Sequence, residues 1–184
     1  MPLLYRTASE GLAPLNGPPV LLPSWCQEAH EGFHQIILGT HPLFPCYFAS
    51  IAERQGSLVY SFLDLSGGFE HELIYSTLNE FFSNTESLKP FPVLALFIHS
   101  ENQAMSLEND EELFWEVING INKTRDDWSS SEADPSDSRW VLKYKDIPIF
   151  VTGHSPFYTK RLSRYADPVF DFSYSREGKP SQNI

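Results

Sequence analysis

Pro92-Val93-Leu94-Ala95-Leu96-Phe97-Ile98-His99-Ser100 holds six apolar residues in a row, opened by a proline and closed by polar residues. A run that is apolar throughout, short and bounded by breakers predicts a central strand buried on both faces. Such a strand needs a neighbour at each edge and a cover on each side. Upstream, Leu58-Val-Tyr-Ser-Phe-Leu63 after Gly56 predicts a second strand. Between the two, Glu70 to Phe82 predicts a helix with Leu73, Ile74, Leu78, Phe81 and Phe82 on one face. Downstream, Asn109 to Asn122 predicts a helix whose first turn carries Asp110, Glu111 and Glu112, where they favour the helix dipole. Leu113, Phe114, Val117, Ile118 and Ile121 form its apolar stripe.

Further out, Ser24 to Gly39 predicts a helix with Ser24 as N-cap and Phe33, Ile36 and Ile37 facing inward. His41 to Cys46 cannot be regular helix, because its two prolines constrain the backbone. Ser129 to Ser138 reads as a polar loop. Trp140 to Tyr144 and Ile149 to Thr152 read as a hairpin turning at Lys145-Asp-Ile-Pro148, and Val169 to Phe172 as one more strand. Helices and strands mix without a regular βαβα repeat, so the expected fold is α+β, a single domain with a mixed central sheet flanked by helices. Residues 1–23 form an arm that lies on the domain or is partly disordered, 24–174 the domain itself, and 175–184 a polar tail.

The 184 residues suit one domain, and a hydrophobic share of 41% with 20% charged residues argues against disorder. The formal net charge of −11 argues against a nucleic-acid surface, which needs clustered Lys and Arg, and leaves room for a cationic ligand. Two cysteines, Cys26 and Cys46, give neither a disulfide framework nor a CxxC pair. No apolar run approaches the roughly 20 residues of a membrane helix, and no signal peptide is visible, so a cytoplasmic protein without membrane contact is expected.

Six histidines stand at 30, 34, 41, 71, 99 and 154. His30 and His34 share one helix face but lack a visible third ligand, which favours two surface histidines over a metal site. His99 ends the apolar strand, a common place for functional side chains, and reads either as one of these or, with more weight, as a structural cap of the strand. His154, in Gly153-His-Ser-Pro156 after a strand, is either an axial ligand of a metal such as heme iron or a packed histidine. Cys46, after Phe44-Pro45, is either a thiolate ligand or an inert buried thiol. Arg161 and Arg164 are conspicuous in so acidic a chain and either pair with carboxylates of a ligand or lie on a solvated face. GxGxxG, P-loop, GxSxG and HExxH motifs are absent.

In order along the chain, His41-Pro-Leu-Phe-Pro-Cys-Tyr-Phe-Ala49, Gly56-Ser-Leu-Val-Tyr60, Phe114-Trp115, Asp127-Trp128, Trp140 to Tyr144, Pro148-Ile-Phe-Val-Thr-Gly-His-Ser-Pro156, Arg161, Arg164 and Pro168-Val-Phe170 resemble the YqcI/YcgG family. Ser129-Ser-Ser131 after Trp128, where that family has a proline-containing loop, departs from the pattern. The resemblance implies heme-dependent N-hydroxylation of guanidine groups of arginine or its derivatives, by an oxygenase with a heme pocket in its α+β domain. It implies His154 as the ligand of a heme b iron, Arg161 and Arg164 as partners of the heme propionates, and Phe44 and Cys46 as part of the pocket wall. The implied partners are a small guanidine- or amine-bearing substrate, dioxygen or peroxide, and an electron-donor protein; a homodimer stays open. Asp64, Glu111, Asp126 and Asp127 are candidates to hold a guanidinium. The alternative expectation is a non-catalytic heme sensor or carrier.

Overall fold

The computed structural model describes residues 3–39, 47–66, 71–88, 90–99, 106–124, 126–131, 137, 139–158 and 169–174. Its elements run β1 (Tyr5–Ala8), β2 (Gly11–Pro14), α1 (Ser24–Leu38), α2 (Tyr47–Gln55), β3 (Leu58–Asp64), α3 (His71–Asn84), β4 (Val93–His99), α4 (Leu107–Thr124), β5 (Trp128–Ser130), β6 (Leu142–Tyr144), β7 (Ile147–His154) and β8 (Val169–Tyr174). One sheet results, in the order β2-β1-β3-β4-β8-β7-β6-β5. β3 and β4 are parallel, in register Leu58 to Val93 through Asp64 to His99, and every other pairing is antiparallel. The architecture is α+β, as the mixed element pattern predicts.

Period-2 alternation along β3 and β4 feeds two cores. Leu58, Tyr60, Val93, Ala95 and Phe97 pack with Ala29, Phe33 and Ile37 of α1 and Ala49 and Ala52 of α2. Val59, Leu63, Leu94, Leu96 and Ile98 pack on the other side with Ile74, Leu78 and Phe81 of α3 and Leu113, Val117, Ile118 and Ile121 of α4. Six of the seven β4 residues are buried, which is why this strand reads as an unbroken apolar run.

Several expectations shift in detail. The segment read as an arm supplies the β1–β2 hairpin, which joins the sheet where Tyr5 pairs with Tyr60. Pro23, not Ser24, is the N-cap of α1, with no side-chain cap bond. Ile36, expected to face inward, is partly exposed while Phe33 and Ile37 are buried. Within the stretch expected to be a polar loop, Ser129 and Ser130 are strand β5, because Trp128 at its head is buried and the exposed serines need only backbone pairing with Leu142 and Lys143. Ser106 caps α4 by accepting the Asn109 N–H at 3.2 Å, so that helix begins at Leu107. The hairpin turns on Lys145 and Asp146 alone, at φ 47° and 64°. Both central residues lie in the left-handed region, as a two-residue type I′ turn requires.

Candidate functional site

The i, i+4 spacing puts His30 and His34 on one face of α1. That face is not bare: α2 brings Glu53 against it, β1 brings Thr7, and β3 brings Tyr60. His34 Nδ1 lies 2.7 Å from Glu53 Oε1, and Thr7 Oγ1 donates to the same oxygen at 2.6 Å. Tyr60 Oη donates to the other oxygen, Oε2, at 2.8 Å. The His30 side of the network closes through Thr7 Oγ1, 2.9 Å from His30 Nε2. The Tyr60 ring also meets the His30 ring edge-on at 4.8 Å.

Counting protons assigns the tautomer. Thr7 has one hydroxyl proton, and Glu53 takes it. Thr7 Oγ1 must therefore accept from His30 Nε2–H, which leaves His30 Nδ1 as a bare acceptor. His30 is only 3% exposed, and Nδ1 has no hydrogen-bond partner among the described residues. Burial, helped by the neighbouring His34 and opposed by Glu53, pushes the His30 pKa down to about 4, so its ring is neutral at pH 7. The reading of His30 and His34 as two surface histidines is thus corrected. Only His34 reaches solvent, with its side chain 33% exposed, while the Glu53 side chain is 3% exposed. The ligating atoms of His30, His34 and Glu53 all lie within 4.8 Å of one another.

The second buried imidazole is His154, the last residue of β7 and 3% exposed. Phe33, which lies between His30 and His34 in sequence, meets its ring edge-on at 6.1 Å. Thr152 Oγ1, two residues back on the same face, lies 3.4 Å from His154 Nε2. One more step back, Phe150 is 56% exposed. The turn beyond His154 is fastened from the other side of the sheet. Ser155 Oγ donates to Asp110 Oδ2 of α4 at 2.6 Å and accepts the Phe157 N–H at 3.1 Å. Burial raises the Asp110 carboxyl above its ordinary range, and the Ser155 bond works against that rise.

Phe44, Cys46, Arg161 and Arg164 lie outside the described residues. His99, expected as a strand cap, stacks its ring on Trp25 at 4.7 Å. Of the acidic candidates, Asp64 accepts the Ser66 N–H at 2.9 Å, Asp127 lies 3.7 Å from Lys145 Nζ, and Glu111 and Asp126 are exposed. Thr7, Glu53, Tyr60 and Asp110 are site residues that sequence reading misses. Asp110 is visible there only as a helix-dipole residue, and the other three carry no local signal.

Fold and site define the class: a single-sheet α+β domain with a histidine–carboxylate cluster under one helix pair and a buried histidine at the end of a neighbouring strand. The chain belongs to the YqcI/YcgG family, whose sequence pattern it matches over residues 33–175. No curated protein and no solved structure matches it.

Proposed function

We propose that this protein is a heme-dependent oxygenase that N-hydroxylates a small guanidine- or amine-bearing substrate, with His154 as the residue that would hold the iron. The observation that carries the reading is the setting of His154: a 3% exposed imidazole at a strand end, walled by Phe33. The donor set fits the group. An imidazole is a common ligand of heme iron, and His154 has apolar neighbours in Phe33, edge-on to its ring, and in the exposed Phe150 on the same strand. Bound there, heme would supply a redox-active iron through which dioxygen or peroxide oxidises a substrate nitrogen. His154 would hold the iron. Thr152 steadies the ring through Nε2, in the way outer contacts orient metal-bound histidines. Phe33 limits ring rotation and keeps water away. Ser155 and Asp110 anchor the turn that carries the ligand. The reaction class rests on the family resemblance, and the net charge of −11 favours encounter with a cation.

The test begins with the absorption spectrum of heme-loaded protein, where a Soret band is expected. His154→Ala should lose heme while its circular dichroism is unchanged; full heme occupancy in that variant would remove His154 as ligand. Loaded protein supplied with reductant, dioxygen and a panel of guanidines and amines should add one oxygen to a substrate nitrogen. Stable oxygen binding with no product would overturn the enzyme reading in favour of a carrier or sensor.

A further inference from the structure

We propose that His30, His34 and Glu53 bind a divalent transition metal of the zinc and iron(II) class, at a site separate from His154 and independent of any heme. Two imidazole nitrogens and one carboxylate oxygen are the protein ligands of many mononuclear zinc and iron sites that keep a position open for water or substrate. A site of mixed nitrogen and oxygen donors does not suit Mg²⁺ or Ca²⁺, which prefer oxygen alone.

Several features separate this cluster from an ordinary buried hydrogen-bond network. A structural network satisfies each of its buried polar atoms, yet His30 Nδ1 has no partner among the described residues. The ligating atoms already lie within 4.8 Å of one another. An ion about 2.0–2.1 Å from each would hold them roughly 3.4 Å apart in a tetrahedral arrangement, parting His34 Nδ1 from Glu53 Oε1, which now stand at 2.7 Å. The outer contacts are also those of a metal site. Tyr60 pins Glu53 Oε2 and so turns Oε1 toward the histidines, and Thr7 bridges Oε1 and His30. The cluster meets solvent at His34, whose side chain is 33% exposed, and at Thr7, so an ion has a way in.

The full-length protein, stripped of metal by a chelator and free of heme, is titrated with Co²⁺ and read by its visible d–d absorption. Calorimetric titration with Zn²⁺ gives stoichiometry and affinity. One equivalent is expected to bind, with Zn²⁺ displacing Co²⁺ and excess Mg²⁺ displacing neither. His34→Ala, the least buried of the three ligands and the variant most certain to fold, should weaken Zn²⁺ binding at least roughly a hundredfold. Glu53→Gln should weaken it about ten- to a hundredfold. His71→Ala, which removes an exposed histidine on α3, should bind as the unaltered protein does. Absence of Co²⁺ absorption and of Zn²⁺ heat, equal affinity in His34→Ala, or loss of binding in His71→Ala would each overturn the proposal.

Discussion

Tyr60→Phe removes one hydroxyl from the interior and nothing else. The ring is fully buried, and its edge contact with His30 at 4.8 Å survives in Phe, so packing stays constant. What goes is the donor to Glu53 Oε2, a 2.8 Å bond on a side chain that is 3% exposed. A buried hydrogen bond to a charged group is worth about 1.5–3 kcal/mol, and losing one partner leaves the other unsatisfied. Oε1 keeps Thr7 and His34, so the lower half of that range applies, and the expected loss is about 2 kcal/mol. That is roughly a thirtyfold change in the folded-to-unfolded ratio. For a chain of this length it corresponds to a fall in Tm of about 4 to 8 °C. Urea unfolding of metal-free protein at pH 7, followed by circular dichroism and tryptophan fluorescence, measures it. In Glu53→Gln the same hydroxyl meets a neutral amide, so the Tyr60→Phe effect should shrink to about 1 kcal/mol or less. A Tyr60→Phe loss within about 0.5 kcal/mol of zero, or an equal loss in both backgrounds, would show that Glu53 does not depend on Tyr60.

Three further outcomes follow from other parts of the molecule. Burial holds the Asp110 proton more tightly in the folded chain than at the ordinary value of 3.8, so its contribution to stability is full below that value and is lost as pH rises through the folded pKa. Asp110→Asn, which can still accept from Ser155, should therefore unfold with a weaker decline above pH 4 than the parent; identical pH profiles of the urea midpoint would refute this. The Cys26 thiol is pushed up to about 12 by burial and should stay unalkylated by iodoacetamide at pH 8 until denaturant is added, as intact and peptide mass spectra will show. Lys145→Asn with Asp146→Gly places residues tolerant of positive φ in the β6–β7 turn and should raise stability by about 1 kcal/mol, visible as a higher Tm.

What the sequence makes legible is what short-range pattern encodes. β4 is plain because it is apolar on both faces, and α4 because its stripe and acidic first turn agree. The β6–β7 hairpin and the place of His154 just past its apolar stretch are legible for the same reason. β1 and β2 are not, since a Gly- and Pro-rich hairpin at a sheet edge has no alternation strong enough to read. α2, nine residues after a proline-rich segment, shows too few turns for a period to emerge. The histidine–carboxylate cluster fails for a different reason. Its members come from β1, α1, α2 and β3, with separations of up to 46 residues between bonded partners. The spacing of His30 and His34 shows a shared face, but whether that face meets water or Glu53 is decided by tertiary packing alone.

β8 is the last strand among the described residues, yet it stands in the interior of the sheet, between β4 and β7. On one side of it lie β2, β1, β3 and β4, and on the other β7, β6 and β5. As the chain leaves the ribosome, both groups can pair internally, but among the described residues no strand joins one to the other before Val169 to Tyr174 emerge. Until then β4 and β7 each present an unpaired edge, and the β4 edge belongs to the most apolar strand of the protein. Assembly is therefore a closing step, with a long-range contact made last and a sticky intermediate before it. A nascent chain stalled before residue 169 would leave both edges open and be a client for chaperones, and deleting Val169 to Tyr174 would open the sheet at its centre rather than fray its end.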